Sequence, residues 1–216
     1  MRKILAILAV FLGLVLATST ALAQETTLPS PGITPNSPLY FLDTWGEDIS
    51  VALARSPQER ARKQHAIAQE KLAETQMMAE QGNRDATEIA AERYVKMVSG
   101  AAQNLAEAAR TGEGFDEALA ELIATATSIA QSVLAGVYDK VPEEAKGAIE
   151  RAMVNAGQGT EAALGALSGE RLERVRTQTQ ERLEEAREQA PEDIRENIPT
   201  TPGGGSGGVP SGIRGR

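Results

Sequence analysis

Apolar residues recur at steps of three, four or seven positions over most of residues 38–190, which is the period of amphipathic helices. The strongest series predicts a helix from about Phe115 to Tyr138, and its members are Phe115, Leu119, Leu122, Ala126, Ile129, Val133 and Val137. Weaker series follow the same period over residues 57–81 and 85–110. The pattern therefore predicts an all-α fold, an antiparallel helical bundle of about five to six helices.

Proline and capping signals set the expected helix ends. Nine of the ten prolines lie in residues 29–57 or from 191 onward, so the helical body lies between those regions. Ser37 and Pro38 are expected to begin a first helix that reaches about Ala54. The run Ser56-Pro57-Gln58-Glu59 has the capping-box pattern that begins a second helix, while Gly82 and Gly112 are expected to end the second and third.

Two further helices are expected after the one at 115–138. The fifth begins at Val141-Pro142 and ends near Asn155, because Gly157-Gln158-Gly159 is interpreted as a turn between helices. That glycine run also fits a loose G-x-G-x-x-A phosphate pattern, but no strand precedes it. The sixth helix begins near Thr160, breaks at Ser168-Gly169 and continues to Ala190. Its charge-dense second part is expected to pack on one side only and to project from the body.

The two ends of the chain differ from its body. A basic start, an apolar run over residues 4–17 and the small-residue site Ala21-Leu22-Ala23 predict a cleaved signal peptide over residues 1–23 and export to the periplasm, cell surface or extracellular space. The alternative is an uncleaved membrane anchor, since residues 4–23 approach the roughly 20 that span a bilayer. The remaining predicted units are a Pro-rich leader over 24–37, a helical module over 38–110, a second helical segment over 113–190 packing on the first, and a disordered Gly-rich tail over 197–216.

Two segments carry a resemblance to a known family, and they read Pro35-Asn36-Ser37-Pro38-Leu39-Tyr40 and Ala66-Ile67-Ala68-Gln69-Glu70-Lys71-Leu72-Ala73-Glu74. They resemble the P-x-S-P-x-Y opening and the helical A-E-x-R-L-x-E-A segment of the secreted bacterial and archaeal family catalogued as domain of unknown function 5667. The likeness covers residues 34–110, with Lys71 where the family often has Arg. It implies a helical module displayed outside the membrane, and it implies no catalytic residue.

Composition removes several classes of chemistry. The chain has no Cys and one His, which excludes disulfide frameworks, zinc ribbons and any site that needs two imidazoles. The formal charge is -8, and because the first 23 residues contribute two bases and no acid, the rest carries -10. Nucleic acid is an unfavourable partner for such a chain. A membrane partner is expected only if the signal segment is retained as an anchor.

No catalytic, cofactor or metal site is predicted. His65 falls on an apolar helix stripe, and the residue three before it is Arg62, which breaks the Glu-x-x-His pattern of di-iron helices. No calcium loop occurs, and the acids are interleaved with bases in the manner of solvated helix faces. The sequence therefore predicts a protein that is not an enzyme.

Half of the six aromatic residues beyond the signal segment crowd into one short stretch, as Tyr40, Phe41 and Trp45. One interpretation is that they cap the end of a bundle with few other large apolar side chains, and the other is that they form a partner-binding patch. The function predicted from the whole sequence is an envelope-associated interaction or scaffold module with a protein partner. The alternative is an extracytoplasmic sensor that binds a ligand or cation between helices.

Overall fold

A computed structural model of the protein describes residues 28–112 and 114–200. Within those residues the chain forms helices and no strand, which confirms the all-α prediction. The helices are α1 (Tyr40–Ala52), α2 (Pro57–Glu80), α3 (Arg84–Thr111), α4 (Glu117–Tyr138), α5 (Glu143–Gly165) and α6 (Gly169–Gln189), followed by one 3₁₀ turn (Arg195–Asn197).

Local capping explains most of these ends. The Ser56 hydroxyl accepts a hydrogen bond from the Glu59 amide at 3.1 Å, and the Glu59 carboxylate accepts one from the Arg55 amide at 2.9 Å. Gly82 and Gly112 adopt positive φ angles of 67° and 68°, the left-handed conformation that ends α2 and α3. These three predicted boundaries are confirmed. The first helix starts two residues later than expected, because residues 37–40 form a turn in which the Tyr40 amide bonds the Ser37 carbonyl.

The core runs along the bundle and draws on helices from both predicted segments, 38–110 and 113–190. Its largest fully buried apolar side chains come from α2 to α6 and from the residues after α6. Helix α4 is apolar and long enough to cross a membrane, but most of it is buried in the body, as is usual for the core helix of a bundle. The buried side chains that best mark the core are Leu72, Tyr94, Met97, Leu105, Ile123, Leu134, Ile149, Met153 and Leu183.

The structure of the carboxyl-terminal part of the body differs from the sequence-based prediction in two respects. Helix α6 does not project, because Val175, Leu183 and Ala186 are fully buried and hold it along the bundle. The predicted tail over 197–216 begins too early, since Ile198 is fully buried and its carbonyl accepts a hydrogen bond from Arg187. Residues 201–216, the signal segment 1–23 and the first residues of the leader lie outside the described residues.

Helix α5 continues through the glycines at which it was expected to end. A Cβ added at Gly159 would lie 2.9 Å from Val98 Cγ1 of α3 and 3.0 Å from Thr127 Cγ2 of α4. Beside it the hydroxyls of Thr127 and Thr160 are 2.8 Å apart. The prediction of a turn was therefore wrong. Because Gly159 has no side chain, α3, α4 and α5 can pack closely at this point, and this packing outweighs the low helix propensity of glycine.

The substitution Gly159→Val is expected to lower the free energy of unfolding by about 2 kcal/mol, because its methyl groups overpack the contact between α3, α4 and α5. Denaturant titration followed by circular dichroism measures this. Gly136→Val is the matched control: Gly136 is also helical, and a Cβ added there would find no heavy atom within 4 Å. Equal losses at the two positions would contradict the close-packing account.

Candidate functional site

Helix α1 lies on α2 and α3 with its charged side facing them. Asp43 and Glu47 pair with Lys71 of α2, and Asp48 pairs with Arg93 of α3. Burial in α1 is only partial, since none of its residues is in the fully buried class. The helix is thus attached to the body mainly through polar contacts, which reverses the usual arrangement of an amphipathic helix.

Lys71 is the centre of this attachment and is completely buried. Its Nζ lies 2.6 Å from Glu47 Oε1, 2.7 Å from Glu74 Oε1 and 3.2 Å from Asp43 Oδ2. The ammonium also lies over the ring of Tyr40, 5.1 Å from its centroid, within the range of a cation–π contact. These five residues are called the Lys71 cluster below.

A second set of bonds fixes the rest of α1. Arg93 Nη2 donates to the Thr44 carbonyl at 3.1 Å, to Glu47 Oε2 at 3.1 Å and to Asp48 Oδ1 at 2.8 Å. Lys63 donates to the Ser50 carbonyl at 2.8 Å. Bases from two helices therefore hold successive turns of α1, and the orientation of the helix is set along its length.

The pKa values of Lys71 and Glu74 are both raised, but for different reasons. Burial disfavours the ammonium of Lys71, but its hydrogen bonds to Glu47 and Glu74 outweigh that effect and raise its pKa. Burial raises the pKa of Glu74, reinforced by the Glu70 and Glu47 carboxylates and opposed by Lys71. A nucleophilic lysine needs a lowered pKa. The ammonium of Lys71 stays charged and is inaccessible, so its role is to hold α1 on the body.

The same region contains three carboxylates close enough to share a cation. Oxygen atoms of Asp43, Glu47 and Glu70 lie within 4.8 Å of one another, and their sites are half-buried. The ammonium of Lys71 already pairs with two of these groups, Asp43 and Glu47. The expectation that the acids form solvated faces was therefore wrong for Glu47 and Glu74, which are paired and largely or wholly buried.

The opposite side of α1 is apolar and faces outward. Phe41 and Trp45 are 64% and 65% exposed, and Leu53 at the carboxyl end of the helix is 71% exposed. We call this surface the outer face of α1, formed by Leu39, Phe41, Leu42, Trp45, Gly46, Ile49 and Leu53. The interpretation of the aromatic residues as a cap on the bundle was wrong for Phe41 and Trp45. Only Tyr40 turns inward, where its hydroxyl is buried without a hydrogen-bond partner among the described residues.

The other candidate residues lie elsewhere. His65 is buried, as its place on an apolar stripe predicted, and burial lowers its pKa to about 4. Burial is the sole cause of that shift, so no neighbouring carboxylate among the described residues activates the imidazole as a base. A groove of about 310 Å³ runs between α3 and α5, lined mainly by small and amide side chains, and Ser99 and Asn155 bond each other at its edge at 2.7 Å.

The Lys71 cluster joins the two segments that carry the family resemblance. Tyr40 belongs to the first segment, and Lys71 and Glu74 belong to the second. Sequence reasoning did not bring these residues together, although each motif was recognised by itself. The sequence did contain a signal for this contact. Tyr40 belongs to one of the two motifs, and the base-acid pair Lys71 and Glu74 belongs to the other, as expected for residues that contact each other.

Comparison with known proteins gives one match. The family described as Domain of unknown function (DUF5667) matches residues 32–144, just over half of the chain. This match extends beyond residues 34–110, through α4 and into the first turn of α5. No curated protein and no solved structure matches the chain. On the strength of the family match, the chain belongs to the DUF5667 family.

Proposed function

We propose that the protein is an exported, non-catalytic helical module that acts by binding a protein partner in the cell envelope through the outer face of α1. The observation that carries the proposal is the orientation of α1. Its acids point at Lys71 and Arg93, so its apolar residues point away from the body. A helix held in this way presents its large side chains to a partner.

The size of the outer face supports this role. Its six large apolar side chains leave roughly 600 Å² in water, by the usual areas of such side chains and their exposed fractions. That area is at the upper end for the largest apolar patch of a monomeric protein, and such patches are often interaction sites. Helix α4, by contrast, has a single large apolar residue in the exposed class, Leu122.

The chemistry of the titratable groups also favours binding over catalysis. The imidazole of His65 is neutral above about pH 4 and buried, and the ammonium of Lys71 is held charged by carboxylates. Burial raises the pKa of Glu74 to about 7, but this side chain is completely buried and its Oε1 accepts a hydrogen bond from Lys71. None of the three groups is therefore placed to exchange a proton with a substrate near neutral pH. The described residues therefore offer a rigid surface more readily than a reactive site.

Photo-crosslinking in the native cell tests the proposal. A photoreactive residue is placed at Trp45, and the matched control carries it at Leu122, which is 52% exposed on α4. A discrete protein adduct is expected from position 45 and none from position 122. The proposal fails if position 45 gives no adduct, or if both positions give the same mixture.

The alternative function is an extracytoplasmic sensor of a cation, and the oxygen atoms of Asp43, Glu47 and Glu70 give it a location. Under this alternative, Ca²⁺ or Mg²⁺ raises the melting temperature of the wild type, and Glu70→Gln abolishes the rise. Under the leading proposal neither ion changes the melting temperature beyond the effect of equal ionic strength. Emission from Trp45, on the same helix, reports any accompanying movement of α1.

A further inference from the structure

We infer that the outer face of α1 binds the outer face of a second copy of this chain, with the two helices antiparallel and crossing at Gly46. The inference rests on the proposed function and names its partner. The supporting observations are the distribution of apolar side chains on the face, the place of its glycine, the charge of its surroundings and its area.

The exposed apolar residues lie on both sides of the middle of the helix, four before Gly46 and two after it. Helix α1 runs from Tyr40 to Ala52, and its central residue is Gly46. In an antiparallel pair that crosses at this residue, Leu42 of one copy meets the Ile49 region of the other, and Leu39 meets Leu53. A two-fold interface requires one patch to complement itself, and the antiparallel arrangement does this by setting the aromatic-rich half of each face against the aliphatic half of the other.

Gly46 has no packing role within the protomer. A Cβ at this position would find no heavy atom within 4 Å, so nothing in the described part of the chain excludes a side chain. Glycine in a helix interior is less favourable than alanine by about 1 kcal/mol. On the outer face its missing side chain forms a notch beside Trp45 and Ile49, and a notch at the crossing point allows two helix backbones to approach closely.

The charges near the face favour this partner over a membrane surface. Helix α1 contains no basic residue, so it lacks the Lys and Arg that attract an interfacial helix to anionic lipid. Each of its three acids is already paired with a base inside the protomer, with Asp43 on Lys71, Glu47 on Lys71 and Arg93, and Asp48 on Arg93 and Lys96. Two copies can therefore meet along α1 without bringing unpaired carboxylates together.

The area of the face sets the expected strength. Covering most of the outer face on both copies would bury on the order of 1,000 Å², the lower end for specific protein interfaces. An interface of that size without preformed polar bonds is expected to give a dissociation constant on the order of micromolar. The monomer and dimer should then exchange within the range of concentrations accessible to sedimentation.

Sedimentation equilibrium of the exported protein between about 1 and 200 µM gives the direct test. The wild type is expected to change from the mass of one chain to that of two, with a blue shift of the Trp45 emission over the same range. Ile49→Glu should stay monomeric throughout. Leu122→Glu, at a position on α4 that is 52% exposed against 39% for Ile49, should dimerise as the wild type does.

Oxidative crosslinking provides a second measurement that does not depend on the stability of the charged variants. Because the chain contains no Cys, a single introduced thiol can pair only with another copy. Gly46→Cys is expected to form a disulfide dimer much faster than Gly136→Cys, which is also a helical glycine with open space around it. The crossing point lies on the two-fold axis, where two Cβ atoms come within the roughly 4 Å that a disulfide needs.

A wild type that stays monomeric at 200 µM, or equal crosslinking at the two glycine positions, overturns the inference. If the photoreactive residue at Trp45 then still captures a different protein, the proposed function survives without the dimer. If position 45 captures nothing and no dimer forms, both ideas fail. A concentration-dependent dimer that Ile49→Glu leaves intact places the self-contact on another surface and also contradicts the inference.

Discussion

Replacing Lys71 by methionine lowers the free energy of unfolding by about 3–5 kcal/mol and releases α1 from the body. Methionine fills a similar volume but leaves the buried Glu74, the largely buried Glu47 and the half-buried Asp43 without their shared cation. Removing one member of a buried ion pair is costly on this scale because the remaining charge stays desolvated. Lys71→Arg keeps the charge and is expected to lose much less.

Two measurements separate the global loss from the local one. Urea titration by circular dichroism gives the change in stability, and limited proteolysis between α1 and α2, at residues 53–56, detects the release of α1. Lys96→Met is the matched control, since Lys96 also pairs with an acid of α1 but is 61% exposed on its side chain, and surface ion pairs contribute less than about 1 kcal/mol. Equal losses for the two variants would refute the role given to Lys71.

Lowering the pH from about 6.5 to 4 is expected to remove about 3 kcal/mol of stability through His65 alone. Burial lowers the pKa of His65 to about 4, while the unfolded chain keeps the ordinary value near 6.5. Between these values the unfolded state binds the proton and the folded state does not, so acid favours unfolding. The contribution is complete above pH 6.5 and decreases as the pH falls towards 4.

Some carboxyl groups change the stability of the wild type with pH in the opposite sense to His65. The pKa values of Glu74 and Glu70 are raised by burial, so their protonation at lower pH adds stability to the folded state. The informative quantity is therefore the difference between the wild type and His65→Leu, measured by urea titration at pH 4, 5, 6 and 7. That difference should change by about 3 kcal/mol across the series. A parallel pair of curves would show that His65 is protonated equally in both states.

Local signals were sufficient for most helix ends. Ser56-Pro57 and the glycines at 82 and 112 act through their own backbone and immediate neighbours, so their effect is visible in the sequence. The end of α5 was not predictable in this way. Gly159 has the same propensity as a terminating glycine, and only its neighbours on α3 and α4 decide that the helix continues.

The orientation of α1 was also beyond the sequence pattern. Periodicity shows that a helix has an apolar face and a polar face, but it does not show which of the two faces turns inward. The face of α1 that turns inward is set by Lys71 and Arg93. Both lie on other helices, distant in the sequence, and both pair with Glu47. Lys71 stands beside Leu72 on the apolar stripe of α2, and that position was the only sign that it is buried.

The burial of Ile198 limits where the chain can be cut. The family match ends at residue 144, yet Ile149, Leu183, Ile194 and Ile198 all complete the same core. A fragment that ends at the family boundary would leave those positions empty and expose the inner sides of α3 and α4 to water. A tag, a fusion partner or a truncation must therefore come after Ile198 if the excised domain is to keep its fold.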